Sequence, residues 1–188
     1  MRWEAALRLN PTHLLLMDSQ VDASGLALCR SLSLPVLILS FRTLDDIPAN
    51  IRRIGEFLDR PDQGKAEARS FEQRLSALPR RAGRSVLYVL WWTPMRVAGR
   101  GSFIGQGLAR LGLQTPVKGD GFPQLSLEEV LAIKPNVILY PDDAGPPPSG
   151  LLDRGLWTFM RVQGDLWNRP SVRFPQALED VSHALEEK

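Results

Sequence analysis

The sequence predicts an α/β fold of two small parallel-sheet lobes joined by one long helix, with an incomplete N-terminal lobe. Three observations carry that prediction. Apolar runs of strand length at 13–17, 35–40, 85–91 and 137–140 alternate with segments of helical periodicity, the pattern of parallel strands buried between helices. A single long, charged helical segment, Asp62 to about Leu78, separates the first two runs from the last two. Finally, Trp3–Pro11 followed by Leu15 and Asp18 is matched 124 positions later by Leu127–Pro135 followed by Leu139 and Asp142. Both copies read as helix, proline, buried strand and acidic loop, and they flank the long helix as related lobes would. The resulting divisions are a partial N-terminal lobe over 1–60, an interlobe helix over 61–83 and a C-terminal lobe over 84–188.

Each element has a local reason. Trp3 to Leu9 is amphipathic at helical spacing and stops at Asn10-Pro11, because proline disfavours helix in the residue before it. His13–Met17 is the first buried strand, Ser24–Leu32 a helix, and Pro35–Ser40 the second strand. Thr43 reads as the cap of a helix with Asp45 and Asp46 in its first turn and an apolar face of Ile47, Ile51, Ile54 and Leu58. The long helix has Ala66, Phe71, Leu75 and Leu78 as its apolar set and closes on Arg80-Arg81-Ala82-Gly83-Arg84. Ser85–Trp91 is the third strand, Thr93-Pro94 a turn, and Arg96–Gly99 a short extension. Ser102–Leu111 is a helix ended by Gly112; Ser126 and Glu129 form a capping box for another. Val137–Tyr140 is the fourth strand, Pro141–Gly150 a loop, Leu156–Val162 reads as helical, and Pro175–Glu187 as a terminal amphipathic helix.

Composition narrows the function classes. With 44% hydrophobic and 23% charged residues the chain has the balance of a soluble globular protein. Its formal net charge of +2 gives no strong field toward nucleic acid or membrane. The single cysteine, Cys29, cannot form an intrachain disulfide and reads as a small buried apolar residue. The N-terminus alternates apolar and charged residues, so the chain as written shows no export signal. No nucleophile–base pair, Cys/His metal spacing, P-loop or nucleophile elbow is present. His13 and His183 read as structural, and Trp3 and Trp157 as packing residues. Gly99-Arg100-Gly101 before the helix at Ser102 offers amide donors that could meet an anion. The chain therefore reads as a binding protein with no resident cofactor, not an enzyme.

Several motifs, in order, resemble a known family. Glu4-x-x-Leu7-x-Leu9-x-Pro11, Ser31-Leu32-x-Leu34-Pro35-Val36 and Thr43-Leu44-Asp45-Asp46-Ile47 are similar to the N-terminal lobe of ABC-importer substrate-binding proteins. Gly99-x-x-Ser102-Phe103-Ile104, Gln124-x-Ser126-x-Glu128-x-Val130-Leu131 and Lys134-Pro135-x-Val137-Ile138 are similar to the second lobe. The subgroup resembled has a rigid interlobe helix and serves cobalamin, haem and ferric siderophores; vitamin B12-binding proteins are the most similar within it. The resemblance implies that a bulky ligand, cobalamin or a related tetrapyrrole or siderophore, lies between the lobes against loops at the carboxyl ends of the strands.

Mapped onto this chain, the implied ligand-binding positions are Met17, Asp18, Phe41, Arg42, Trp91, Trp92, Arg96, Asp165 and Trp167. Aromatic faces suit a flat macrocycle, and guanidinium groups suit propionate, phosphate or amide groups. Adjacent strand residues point to opposite faces, so only one of Trp91 and Trp92 is expected to line the cleft. The family's docking glutamates for the membrane permease align with Ala23 and Asn168; Asp22 is the candidate substitute for the first. The resemblance also implies an extracytoplasmic location. Against the family's pattern, the chain opens directly before the third element of the first lobe. The alternative reading is thus a degenerate, non-transporting paralogue that self-associates through the exposed edge of the shortened lobe.

Overall fold

The computed structural model describes residues 3–80, 83–152 and 155–186. The N-terminal part opens with helix α1 (Trp3–Leu7), strand β1 (Leu14–Met17), a 3-10 turn over 18–20, helix α2 (Ala23–Ser31) and strand β2 (Val36–Leu39). β1 and β2 pair in parallel, Leu14 opposite Val36 through Met17 opposite Leu39. Neither strand is buried on both faces as its apolar sequence suggests: Leu16 and Leu39 are buried, but Leu15 is 44% exposed. A two-stranded sheet offers its alternate side chains too little surface to be covered on both sides.

Helix α3 (Asp46–Phe57) and helix α4 (Pro61–Ala77) follow, and α4 leads into the C-terminal part. Thr43 is not the cap of α3; instead the Asp46 carboxylate reaches back to accept the amides of Arg42 and Thr43. The buried face of α4 is Gly64, Ala68, Phe71 and Leu75, with Leu78 just beyond the helix. The repeat is i, i+4, i+7, i+11, so Ala66, expected on that face, points to solvent. Gly55 and Gly64 let α3 and α4 touch backbone to backbone: a Cβ on Gly55 would stand 2.7 Å from the Cα of Gly64. The basic segment that closes the helix lies partly outside the described residues, at Arg81 and Ala82.

The C-terminal part holds a four-stranded sheet. β3 (Val86–Trp92) and β4 (Met95–Val97) form a hairpin; helix α5 (Phe103–Arg110) and helix α6 (Leu127–Ile133) follow; then come β5 (Val137–Pro141), the short helix α7 (Ser149–Leu152) and β6 (Thr158–Val162). The strand order is β4-β3-β5-β6, with β3, β5 and β6 parallel. Segment 158–162 is therefore a strand and not the expected helix. Met160 is its one buried residue, and the parallel ladder to β5 pairs the inner edge of its backbone. Helices α8 (Gly164–Trp167) and α9 (Phe174–Ala184) complete the chain.

One core runs across both parts. Leu44 and Ile47 from the first, Phe71 and Leu75 from α4, and Tyr88, Phe103, Ile104, Leu108, Trp167 and Phe174 from the second belong to one cluster. Arg74 of α4 adds a bidentate ion pair with Glu179 of α9, Nε to Oε1 at 3.2 Å and Nη2 to Oε2 at 2.9 Å. Among the described residues no helix is long and apolar enough to cross a membrane, and no acidic, His or Cys group is arranged to hold a metal ion.

Candidate functional site

In open α/β sheets ligands meet the loops beyond the carboxyl ends of the strands. The first such group is formed by β1 and β2. Parallel pairing brings Met17-Asp18 beside Ser40-Phe41-Arg42, and the Arg42 guanidinium lies 3.6 Å from the Asp18 carboxylate. A hydrogen bond from the Ser40 side chain, aided by Arg42, holds the Asp18 carboxyl below its ordinary value. Arg42 remains 82% exposed along its side chain, so the pair leaves it open to a further partner.

The backbone beneath Phe41 and Arg42 is unusually well held. Asn50, only 3% exposed, donates from Nδ2 to the Ser40 carbonyl at 2.6 Å and accepts Nη1 of Arg53 at 2.8 Å. Arg53 also donates to the Ile38 carbonyl. Asp46 accepts the amides of Arg42 and Thr43 at 2.9 and 2.8 Å. Desolvation opposes ionisation of Asp46, but the bonds from Thr43 and Arg42 outweigh it and keep its carboxyl below the ordinary range. The next amide, Leu44, donates across the interlobe boundary to Oε1 of Gln106 on α5 at 2.9 Å. Phe41 packs on the edge of the common core.

The second group stands at the carboxyl end of β3. The hairpin register places Arg96 opposite Trp91, so the two side chains share a face. Trp91 is 52% exposed, and Arg96 donates to the Phe122 carbonyl at 3.1 Å. Trp92 points the other way, as strand alternation requires. It packs on Tyr140 with ring centroids 5.6 Å apart and donates from Nε1 to the Gly145 carbonyl.

Two sequence-derived assignments are corrected. Trp167 is 1% exposed, stacked on Tyr88 at 5.1 Å and edge-on to Phe174, so its ring is engaged in the core. Only Asp165 of that segment is accessible, and it pairs with Arg169 at 3.1 Å. Asp22 is the N-cap of α2, so its carboxylate is already engaged within the chain. It accepts Gly25 N at 2.7 Å, Ser24 Oγ at 2.6 Å and Trp3 Nε1 at 2.9 Å, and these bonds lower its pKa to about 2. The anion reading of Gly99-Arg100-Gly101 also fails. Their amides donate to the carbonyls of Gly121, Val117 and Gly119, which leaves no donors for a ligand.

Sequence reasoning missed Gln106, and it missed Asn50, although a polar residue on the apolar face of an amphipathic helix was a signal. It also missed a polar cluster just beyond the carboxyl ends of β5 and β6. The Tyr88 hydroxyl donates to Asn168 Oδ1 at 2.8 Å, Asn168 turns toward Asp143, and Asp142 accepts the amide of Gly164. Burial, with Asp143 and Asp142 adding to it, pushes the Tyr88 hydroxyl pKa upward. A concavity of about 560 Å³ lined by Leu131, Lys134, Leu156 and Trp157 lies at the amino ends of β5 and β6, the end opposite to the site.

No protein-family model matches the chain. It is 24% identical over 207 residues to the vitamin B12-binding protein of Vibrio parahaemolyticus, covering 97% of this chain and 71% of that protein. Two proteins of the same name from Pectobacterium are matched over 52% and 53% of their length, so the chain spans about half of those relatives. Among solved structures, the periplasmic heme-binding protein RhuT from Roseiflexus sp. RS-1 superposes with a TM-score of 0.78 at 23% identity, over 97% of this chain and 78% of that one. The periplasmic vitamin B12 binding protein BtuF of Vibrio cholerae superposes with a TM-score of 0.72 at 22% identity, over 97% and 77%. All of these are named as binding proteins. The resemblance read from the motifs is thereby borne out: over nearly its whole length the chain is similar to substrate-binding proteins of the cobalamin and haem class, and it has their α/β fold.

Proposed function

We propose that the chain reversibly binds a tetrapyrrole-type ligand, cobalamin or haem, between its two lobes as the substrate-binding component of an ABC importer outside the cytoplasmic membrane. The observation that carries this reading is the immobilised loop bearing Phe41 and Arg42. Its backbone groups are fixed by Asn50, Asp46 and Gln106, while its guanidinium stays exposed. Side-chain clamps of that kind preorganise a binding loop and reduce the ordering cost of association. Met17 and Asp18 flank that loop; Trp91 and Arg96 offer an aromatic face and a cation on the second lobe, with Trp92 behind them. Asp165 is the remaining accessible position of the nine. In this reading no covalent step occurs, and the ligand is handed to a membrane permease.

Titration with cobalamin and, separately, with haem, followed by tryptophan quenching, tests the proposal. Saturable quenching by either ligand, weakened by Arg42→Ala, is expected. Absence of saturation with both ligands would sink it.

A further inference from the structure

The loop that carries Phe41 and Arg42 is held from two directions, and the two holds differ in kind. Asp46 fixes the amides of Arg42 and Thr43 from within the same lobe, three or four residues along the chain. Gln106 fixes the very next amide, Leu44, from α5 in the other lobe, 62 positions away. The same Gln106 side chain donates from Nε2 to the Gly101 carbonyl at 3.0 Å. One partner is an N–H and the other a C=O, so the orientation of the amide is fixed by chemistry. Gly101 sits in the loop that leads from β4 into α5, and that loop is itself pinned to 117–121 through Gly99, Arg100 and Gly101. A half-buried glutamine thus joins two rigid loops, one from each lobe.

We propose that Gln106 is a positioning residue that sets the spacing of the lobes at the cleft by tying the Phe41–Arg42 loop to the β4–α5 loop. Among the described residues no other side chain is seen to make its two bonds: the Arg74–Glu179 pair ties α4 to α9, and the core contacts of Leu44 and Ile47 are non-directional. Apolar packing keeps the lobes together; a donor–acceptor side chain between two backbone groups fixes their register. Glutamate at this position can accept the Leu44 amide but, ionised, cannot donate to Gly101. Leucine can do neither. The residue is inferred to act on ligand through the loop it holds, so its effect on binding rests on the proposed function.

Amide hydrogen exchange by NMR on the intact chain, with the ligand titration alongside, tests this. In Gln106→Leu the Leu44 amide should exchange at least about tenfold faster, the loss of roughly one hydrogen bond. Arg42 and Thr43, held by Asp46, should stay protected. In Gln106→Glu protection of Leu44 should be retained, whereas affinity for whichever ligand binds should fall in both variants. Unchanged exchange at Leu44 in Gln106→Leu would overturn the proposal, as would faster exchange with unaltered affinity. If Gln106→Leu fails to fold, Gln106→Glu decides: wild-type affinity in that variant overturns the tie to Gly101. If the wild-type chain binds neither cobalamin nor haem, the proposed function falls, and the exchange measurement still decides whether Gln106 holds the loop.

Discussion

Asn10 and Lys134 adopt the same left-handed backbone conformation, with φ of 49° in both, and each stands immediately before a proline. Around them the chain repeats itself. α1 and α6 lead into these residues, β1 and β5 follow, and each strand ends in a 3-10 turn that begins on an aspartate, Asp18 or Asp142. Each strand then pairs in parallel with the next, β1 with β2 and β5 with β6. The sequence similarity at an offset of 124 is thus a repeat of a helix–strand–turn–strand unit, down to a residue whose backbone strain the side chain does not favour.

That strain gives a first prediction. Lys134 is exposed and caps α6 through its amide to the Val130 carbonyl, so its side chain contributes little packing. Lys134→Gly should raise stability by about 0.5–1 kcal/mol, since glycine adopts this conformation without a Cβ penalty. Asn10→Gly should gain less, because asparagine tolerates the same region. Urea denaturation of the two variants measures both; a loss of stability in Lys134→Gly would contradict the account.

What could be read from the sequence follows a physical division. Strands with continuous apolar runs, such as Val86–Trp92, were legible as strands from length and apolarity, but how far each is covered was not, since β1 and β2 carry similar runs and stay partly exposed. Thr158–Val162 was not, since three apolar residues in five fit a helix turn and a half-buried strand equally well. The long helix was legible, and so was most of its face, since Phe71, Leu75 and Leu78 are buried as expected; Ala66 was not distinguishable from Ala68, because the two are chemically identical and only packing selects Ala68. For the candidate site, the rule that ligands meet strand ends picked Asp18, Arg42 and Trp91. It could not exclude Trp167, whose neighbours Tyr88 and Phe174 are set by tertiary structure, nor find Gln106, whose partner lies 62 positions away.

The Gly55–Gly64 contact gives a second prediction. Backbone meets backbone there, so an added methyl cannot be accommodated by a rotamer change. Gly55→Ala should cost roughly 1–3 kcal/mol as the helices are forced apart, more than the small gain in helix propensity returns. A thermal midpoint equal to that of the parent chain would show that α3 and α4 do not pack through this pair.

Trp91 and Trp167 separate packing from binding. Trp167→Phe removes ring area from between Tyr88 and Phe174 and should destabilise by roughly 1–2 kcal/mol, with ligand affinity unchanged. Trp91→Phe should leave stability within about 0.5 kcal/mol, since the ring is half in solvent. It should also remove most of the ligand-induced quenching if the ligand lies on that face. Denaturation midpoints paired with fluorescence titrations of both variants test this. The opposite assignment, stability lost at Trp91 and quenching lost at Trp167, would reverse the correction made above.

Asp22 supplies an acid signature. Its carboxylate accepts the Ser24 hydroxyl, the Trp3 indole and the Gly25 amide, which together lower its pKa from 3.8 to about 2. A carboxyl depressed in the folded state binds its proton more readily when unfolded. Its contribution is therefore complete above about pH 4 and is lost as the pH falls through about 2. Asp18 and Asp46 are lowered as well, so the acid limb of stability has several contributors. Asp22→Asn keeps a capping oxygen for Gly25 and Ser24 but loses the acceptor for the Trp3 indole along with the titration, so the slope against pH and not the absolute midpoint is the readout. Urea midpoints measured from pH 5 to pH 2 should fall less steeply for Asp22→Asn than for the parent chain. Parallel curves would mean that the bonds from Ser24, Trp3 and Gly25 do not hold the Asp22 carboxylate in solution, because an unheld carboxylate has no linkage to lose.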